Sequence, residues 1–129
     1  MVAGVKVFAV EVDMLKVEPL FVLGCTYDEL CAYMLKRFKV RLDPEDGENR
    51  LAGRMFTFDC PPWRMVWTRR LDLPVVLHET FHLTTRICAD KGITVRSHNE
   101  HGQNDDETAA YLFEALARPV LKRLAKVKQ

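Results

Sequence analysis

The segment His78-Glu79-Thr80-Phe81-His82 constrains this chain more than any other five residues. Its two histidines, called the histidine pair below, are four residues apart, so on an α-helix they lie one turn apart on the same face. Apolar neighbours such as Val76 and Leu83, and the lack of proline within the motif, favour a helix. The pattern therefore predicts a helix on which His78 and His82 bind one metal ion, with Zn²⁺ expected.

Glu79 stands between the two histidines and would project close enough to take a proton from a water at the metal. Two histidine ligands and a glutamate acting as general base are the arrangement that zinc metalloproteases use. Glu79 is therefore the predicted catalytic residue of a hydrolase.

Composition and charge narrow the class of protein. The chain has 129 residues, of which 48% are hydrophobic and 29% charged, which are the values of one folded domain. A formal net charge of +1 gives no general attraction to nucleic acid or to acidic membranes. No signal peptide or membrane-spanning run is visible, so we expect a cytoplasmic protein with reduced thiols. The four cysteines form no CxxC pair, and Cys60 is the one considered as a metal ligand.

The order of predicted elements indicates an α+β domain, in which a three- to four-stranded sheet packs against the motif helix and a following helix. Residues 1–70 hold the strands and a first helix, 71–92 the motif helix, and 104–129 a last helix. Val5–Val12 alternates like a strand with apolar residues on both faces, which predicts that both faces are covered. Leu20–Leu23 is a second short extended segment.

Local signals predict where the first helix begins and ends. Thr26 and Glu29 have the spacing of a capping box, and the helix that they open should run to about Lys39. The segment from Asp43 to Gly47 is typical of a surface turn.

Two further strands are predicted at Arg54–Asp59 and Trp63–Thr68. Trp63, Met65 and Trp67 share one face of the second strand, which favours packing within the sheet. The alternative is that Trp63–Thr68 is an edge strand that pairs with an extended peptide substrate.

The motif helix is predicted to span Pro74–Lys91, because Asp72 lies near its N-cap and Gly92 follows its end. The last helix should begin near Asn104, and Pro119 should kink or divide it.

A zinc site needs a third protein ligand besides the histidine pair. Thr85 and Cys88 stand where a metzincin would have glycine and histidine, so that type of site is excluded. Glu107 is the better candidate, because the last helix can return its carboxylate to the metal and complete a gluzincin type of site. Asn104 and Glu107 also have capping-box spacing, so Glu107 could instead cap the helix. Asp106 could orient a ligating histidine or complement the helix dipole.

Three more residues are candidates for stabilising the oxyanion of a tetrahedral intermediate. His98 and His101 lie in the predicted loop between the two helices, where one could hang over the metal or both could be solvated. Tyr111 is one turn beyond Glu107 on the same face, with packing in the core as its alternative.

From His78 onward the sequence resembles small HExxH proteins encoded by bacteriophages and prophages, which are described as metallopeptidases. The shared pattern comprises the HExxH helix, the pair Gly92-Ile93, and the Asp-Glu-x-x-Ala-Tyr-Leu segment 106–112. It covers about residues 74–118. The resemblance implies a minimal gluzincin domain with a zincin-like fold, in a phage protein that acts in the host cytoplasm.

The leading functional hypothesis is a Zn²⁺-dependent peptidase of the gluzincin type that acts on a protein or peptide, including a host protein. One alternative is a deformylase-like hydrolase with Cys60 as third ligand. The other is a non-catalytic, zinc-stabilised binding or regulatory module that acts on a host protein.

Overall fold

The computed structural model describes residues 4–44, 51–95 and 106–127. These described residues form four strands and three α-helices, which confirms the α+β class. In chain order they are β1 (Lys6–Ala9), β2 (Leu20–Leu23), α1 (Tyr27–Phe38), β3 (Gly53–Thr57), β4 (Arg64–Thr68), α2 (Leu73–Asp90) and α3 (Glu107–Val127), with a short 3₁₀ turn at Asp13–Leu15.

The four strands form one mixed sheet in the order β1-β2-β4-β3. The central pair, β2 and β4, is parallel, and β1 and β3 pair antiparallel to β2 and β4 respectively. The hypothesis that Trp63–Thr68 is an edge strand is therefore wrong, because β4 has a partner on each side. Its consecutive Met65, Val66 and Trp67 are fully buried, as expected for a strand covered on both faces.

Helices cover both faces of the sheet. On one face, Phe21, Leu23 and Val66 pack with apolar residues of α2 and α3. On the other, Val22 and Trp67 pack with α1. Alternation along each central strand thus divides the core into two layers, and α2 lies on the same side as α3.

The prediction that the first strand is covered on both faces is wrong. The strand is only Lys6–Ala9, at one edge of the sheet, with Phe8 buried but Val7 40% exposed. An edge position explains the difference, because the helices lie over the central strands.

The predicted helix ends are largely confirmed. Thr26 Oγ1 accepts a hydrogen bond from the Glu29 amide at 3.2 Å, and Glu29 Oε1 accepts one from the Thr26 amide at 2.9 Å, which completes the capping box of α1. Asp72 precedes α2 but makes no capping bond with its side chain. Gly92 has a φ of 69° just beyond the end of α2, where a left-handed residue is usual.

The last helix, α3, packs against α2 and contains Pro119 without being divided by it. Most of the turn predicted at residues 43–47 lies outside the described residues. Asn104, where the last helix is predicted to begin, also lies outside them. No helix in the described ranges is long and apolar enough to cross a membrane.

Candidate metal centre

The HExxH motif lies in the middle of α2, as predicted, with its histidines on the exposed side of the helix. The opposite side is fully buried at Val76 and Leu83. Thr80 is also buried, and its hydroxyl donates to the Val76 carbonyl at 2.7 Å, so it needs no partner from another element. The core side thus determines how α2 is rotated, and this rotation presents both histidines outward.

The two imidazole rings converge. His78 Nε2 and His82 Nε2 are 3.1 Å apart, and the rings are nearly perpendicular at 83°. Two histidine nitrogens bound to one tetrahedral Zn²⁺ at about 2.0–2.1 Å would lie about 3.3 Å apart, so the pair fits this ion. The same separation suits a hydrogen bond between a protonated and an unprotonated ring nitrogen, so the pair is also compatible with a metal-free state.

Glu79 lies beside the histidine pair but is largely enclosed. It is 7% exposed, and its Oε2 is 3.9 Å from His78 Nε2. A motif glutamate is expected close to the metal, but its burial against the sheet was not predicted.

Gly53, at the start of β3, makes this enclosure possible. A Cβ at this position would lie 2.8 Å from the Trp67 carbonyl oxygen, 3.1 Å from Thr68 Cγ2 and 3.2 Å from Glu79 Cγ. Only a residue without a side chain lets β3 approach Glu79 so closely. Sequence reasoning missed Gly53, although glycine within a strand is a known signal of close backbone approach.

A groove of about 500 Å³ runs between β3 and α2, and we call it the β3–α2 groove. One wall is residues 53–55 of β3, and the other is Glu79, His82, Thr85, Arg86 and Ala89 of α2. Glu79 and His82 therefore open into a groove bordered by a strand. Sequence patterns suggest β4 for this role, as the alternative to its packing within the sheet.

At the far end of this groove, charged residues of α2 form ion pairs with each other and with an arginine of the sheet. Asp90 accepts from Arg64 Nε at 2.8 Å through Oδ2 and from Arg86 Nε at 3.1 Å through Oδ1. The hydrogen bond from Arg64, reinforced by the charges of both arginines, holds the pKa of Asp90 below its usual value. This cluster was not predicted, although Arg86 and Asp90 continue the four-residue spacing of the histidine pair.

The structure does not bring the predicted third ligand to the histidine pair. Glu107 is the exposed first residue of α3. Within the described ranges, no group of three histidine, cysteine or acidic residues is placed to hold a metal ion. The choice between ligand and cap stays a prediction, because Asn104 lies outside those ranges. Asp106 is half-buried, and its carbonyl accepts from the Ala110 amide at 3.0 Å.

The other candidates are distributed as follows. Tyr111 is 68% exposed, so the alternative that it packs in the core is wrong. His98 and His101 lie outside the described residues, and their roles stay predictions. Cys60 is an exposed free thiol in the turn between β3 and β4, and it joins no metal-binding group of described residues.

Cys60 is also far from the histidine pair, as measured along α2. β3 runs beside α2 with Gly53 near Glu79, while Arg64, opposite the last residue of β3, contacts Asp90. The turn that carries Cys60 therefore lies near the end of α2, about 12 Å along the helix from His82. Of the other thiols, Cys25 is buried, and burial raises its pKa to about 11.

Comparisons of the chain with protein-family models, with curated proteins and with solved structures find no match. The resemblance to phage-encoded HExxH proteins therefore stays a prediction.

Proposed function

We propose that this protein is a zinc-dependent peptidase with a minimal zincin-like domain. One observation carries the proposal: two imidazole nitrogens converge to 3.1 Å beside a nearly buried glutamate, at a groove bordered by a strand. Converging histidines would supply two metal ligands, the glutamate a base, and the strand a place for a peptide.

His78 and His82 would hold the ion; Glu107, which the structure does not bring to the pair, stays the predicted third ligand. Zn²⁺, when bound, lowers the pKa of a water molecule and polarises a carbonyl group. Glu79 takes the proton from the attacking water and delivers it to the leaving amine. The close approach of β3 at Gly53 leaves little room around the side chain of Glu79, so its carboxylate would be held beside the histidine pair before a substrate binds.

Peptide binding is assigned to the outer edge of β3. The Arg69 amide donates to the Ala52 carbonyl at 2.8 Å, and the Phe58 amide donates to the Trp63 carbonyl at 2.7 Å. In an antiparallel ladder, alternate residues of a strand bond to the partner. Accordingly, the residues whose backbone groups point away from β4 are Gly53, Met55 and Thr57. A substrate added as a further strand would bond to these three and pass over the β3–α2 groove.

Glu79→Gln tests this function, because it keeps the side-chain volume and removes the base. We expect the variant to keep its fold and zinc content and to lose at least about two orders of magnitude in cleavage rate, the usual contribution of a general base. The assay is digestion of a proteome-derived peptide library, with new termini identified by mass spectrometry and zinc measured by elemental analysis. Glu11→Gln is the matched control, because Glu11 is an exposed carboxylate outside α2.

Wild-type and control proteins should generate the same new termini. If zinc-loaded wild-type protein generates no more termini than Glu79→Gln, the peptidase proposal is wrong. A zinc-stabilised binding module would then be the better account of the same metal site.

A further inference from the structure

We propose that Arg86 makes the β3–α2 groove a binding site for a carboxylate of a peptide. This rests on the proposed function and adds a substrate class to it: peptides with a carboxylate near the cleaved bond. The carboxylate is an acidic side chain or the C-terminus, which have the same chemistry.

Arg86 is placed beside the reaction site by the helix. It follows His82 by four residues, which is about 6 Å along the helix axis, on the same face. A strand advances about 3.3 Å per residue, so a peptide paired with β3 would bring a residue about two positions from the reacting carbonyl to Arg86. Residues two positions apart on a strand share a face. The side chain at this position therefore points to α2 whenever the side chain of the residue at the reacting carbonyl points to α2.

Asp90 holds Arg86 in place, and Asp90 is itself bound by Arg64. Arg64 donates through Nη1 to the Trp63 carbonyl at 2.7 Å and to the Phe58 carbonyl at 3.3 Å, while its Nε bonds to Asp90. Asp90 then accepts from Arg86 Nε. This anchoring restricts the arginine before the ligand arrives, which lowers the entropy lost on binding.

Two positive charges share one negative charge in this cluster, which leaves a net charge of about +1 at the end of the groove. The bond to Asp90 uses only Nε of Arg86, and its terminal nitrogens have no partner among the described residues. These nitrogens can donate to a carboxylate. The side chain is 47% exposed, so a ligand can reach it.

Other charges along the groove agree with this assignment. Arg54 borders the groove, but its guanidinium lies 5.0 Å from the centre of the Phe56 ring, on the α1 side of the sheet. Among the described residues that line the groove, Arg86 is therefore the arginine on the α2 side. Glu79 would repel an anion, but it lies seven residues from Arg86, about 10 Å along the helix, so Arg86 is the much nearer charge to a carboxylate bound there.

The test uses four short peptides, with metal-free protein for the binding measurement, because a bound Zn²⁺ would itself attract a carboxylate, and zinc-loaded protein for the cleavage measurement. Three are acetylated, amidated pentapeptides of alanine with Glu, Gln or Lys at the centre, and the fourth is acetylated pentaalanine with a free C-terminus. Dissociation constants are measured by NMR titration, which also detects weak binding, and each peptide is then examined for cleavage by mass spectrometry. Binding and cleavage are thus read separately, so a failure of the peptidase proposal is distinguishable from a failure of this one.

We expect the Glu peptide to bind about fivefold more tightly than the Gln peptide, as for a partly exposed ion pair, and the Lys peptide to bind most weakly. Tighter binding of the free C-terminus instead identifies a terminal carboxylate as the ligand. Arg86→Gln should bring the preference to about onefold, and Arg86→Glu should reverse it in favour of Lys.

Arg118→Gln is the matched control, because Arg118 is an exposed arginine on α3 that pairs with Glu114 four residues away. It should leave the preference unchanged. Equal binding of all four peptides to wild-type protein would overturn the proposal, as would a preference that survives Arg86→Gln. A preference that depends on Arg86, without cleavage of any peptide, would support the carboxylate site and count against the peptidase.

Discussion

Replacing Gly53 by alanine tests the close approach of β3 to Glu79. The added Cβ would lie 2.8 Å from the Trp67 carbonyl oxygen, a backbone atom that cannot turn aside as a flexible side chain can. Overpacking of this kind costs about 1–3 kcal/mol. Alanine also lowers the entropy of the unfolded chain, which offsets about 0.4–1 kcal/mol. We therefore expect a net loss of about 1–2 kcal/mol in the free energy of unfolding.

For a domain of this size, that loss corresponds to a decrease of about 3–8 °C in Tm, measured by thermal unfolding. Because the same Cβ would lie 3.2 Å from Glu79 Cγ, the peptidase proposal adds a fall in cleavage rate at unchanged zinc content. Gly92→Ala is the control: its φ of 69° makes alanine strained, but its Cβ would meet nothing within 4 Å. It should lose about 1 kcal/mol in stability and keep full activity.

A Gly53→Ala protein as stable as the wild type would refute the reasoning, since β3 could then move away from α2 at no cost. Equal loss of cleavage in both glycine variants would show that the effect comes from lower stability and not from the displacement of Glu79.

Two other predictions concern the metal and pH. Glu107→Ala should release zinc far more readily than Cys60→Ala, measured by competition with a chelator; full retention in the first and loss in the second would favour the deformylase-like site. The depressed pKa of Asp90 means that its charged form is favoured by folding, so it stabilises the protein above the usual aspartate pKa. This stabilisation should be lost as the pH falls through that value toward the depressed one. Asp90→Asn should remove this part of the pH dependence of the free energy of unfolding, measured by urea unfolding at several pH values. If the free energy of unfolding varies with pH as in the wild type, the role of the Arg64 bond is contradicted.

Sequence patterns were sufficient where the interactions are local. The capping box of Thr26 and Glu29 and the end of α2 at Gly92 depend on residues within one helical turn of each other. The convergence of His78 and His82 follows from the pitch of the helix alone, and the structure places their rings together as that pitch predicts. Only the metal expected there goes beyond local geometry.

Strand order could not be derived in the same way. The alternation of Trp63, Met65 and Trp67 suits either an edge or a central strand, and the choice depends on what pairs with each side. The parallel pairing of β2 with β4 occupies one side of β4 and leaves β3 as the edge beside α2. The short apolar run of Met65, Val66 and Trp67 was the available signal for a central position.

The sequence by itself therefore determined the set of elements. It also determined which side chains line one face of α2, namely His78, His82, Arg86 and Asp90. Both depend on neighbours three or four residues apart. Tertiary structure decided which strand borders the histidine pair, how deeply Glu79 is buried, and that Asp90 links Arg86 to Arg64. These features join residues that are distant in the chain, and they exist only once both faces of the sheet are covered. The physical reason is that burial of apolar surface selects the strand order, while spacing along the chain only decides which groups each element can present.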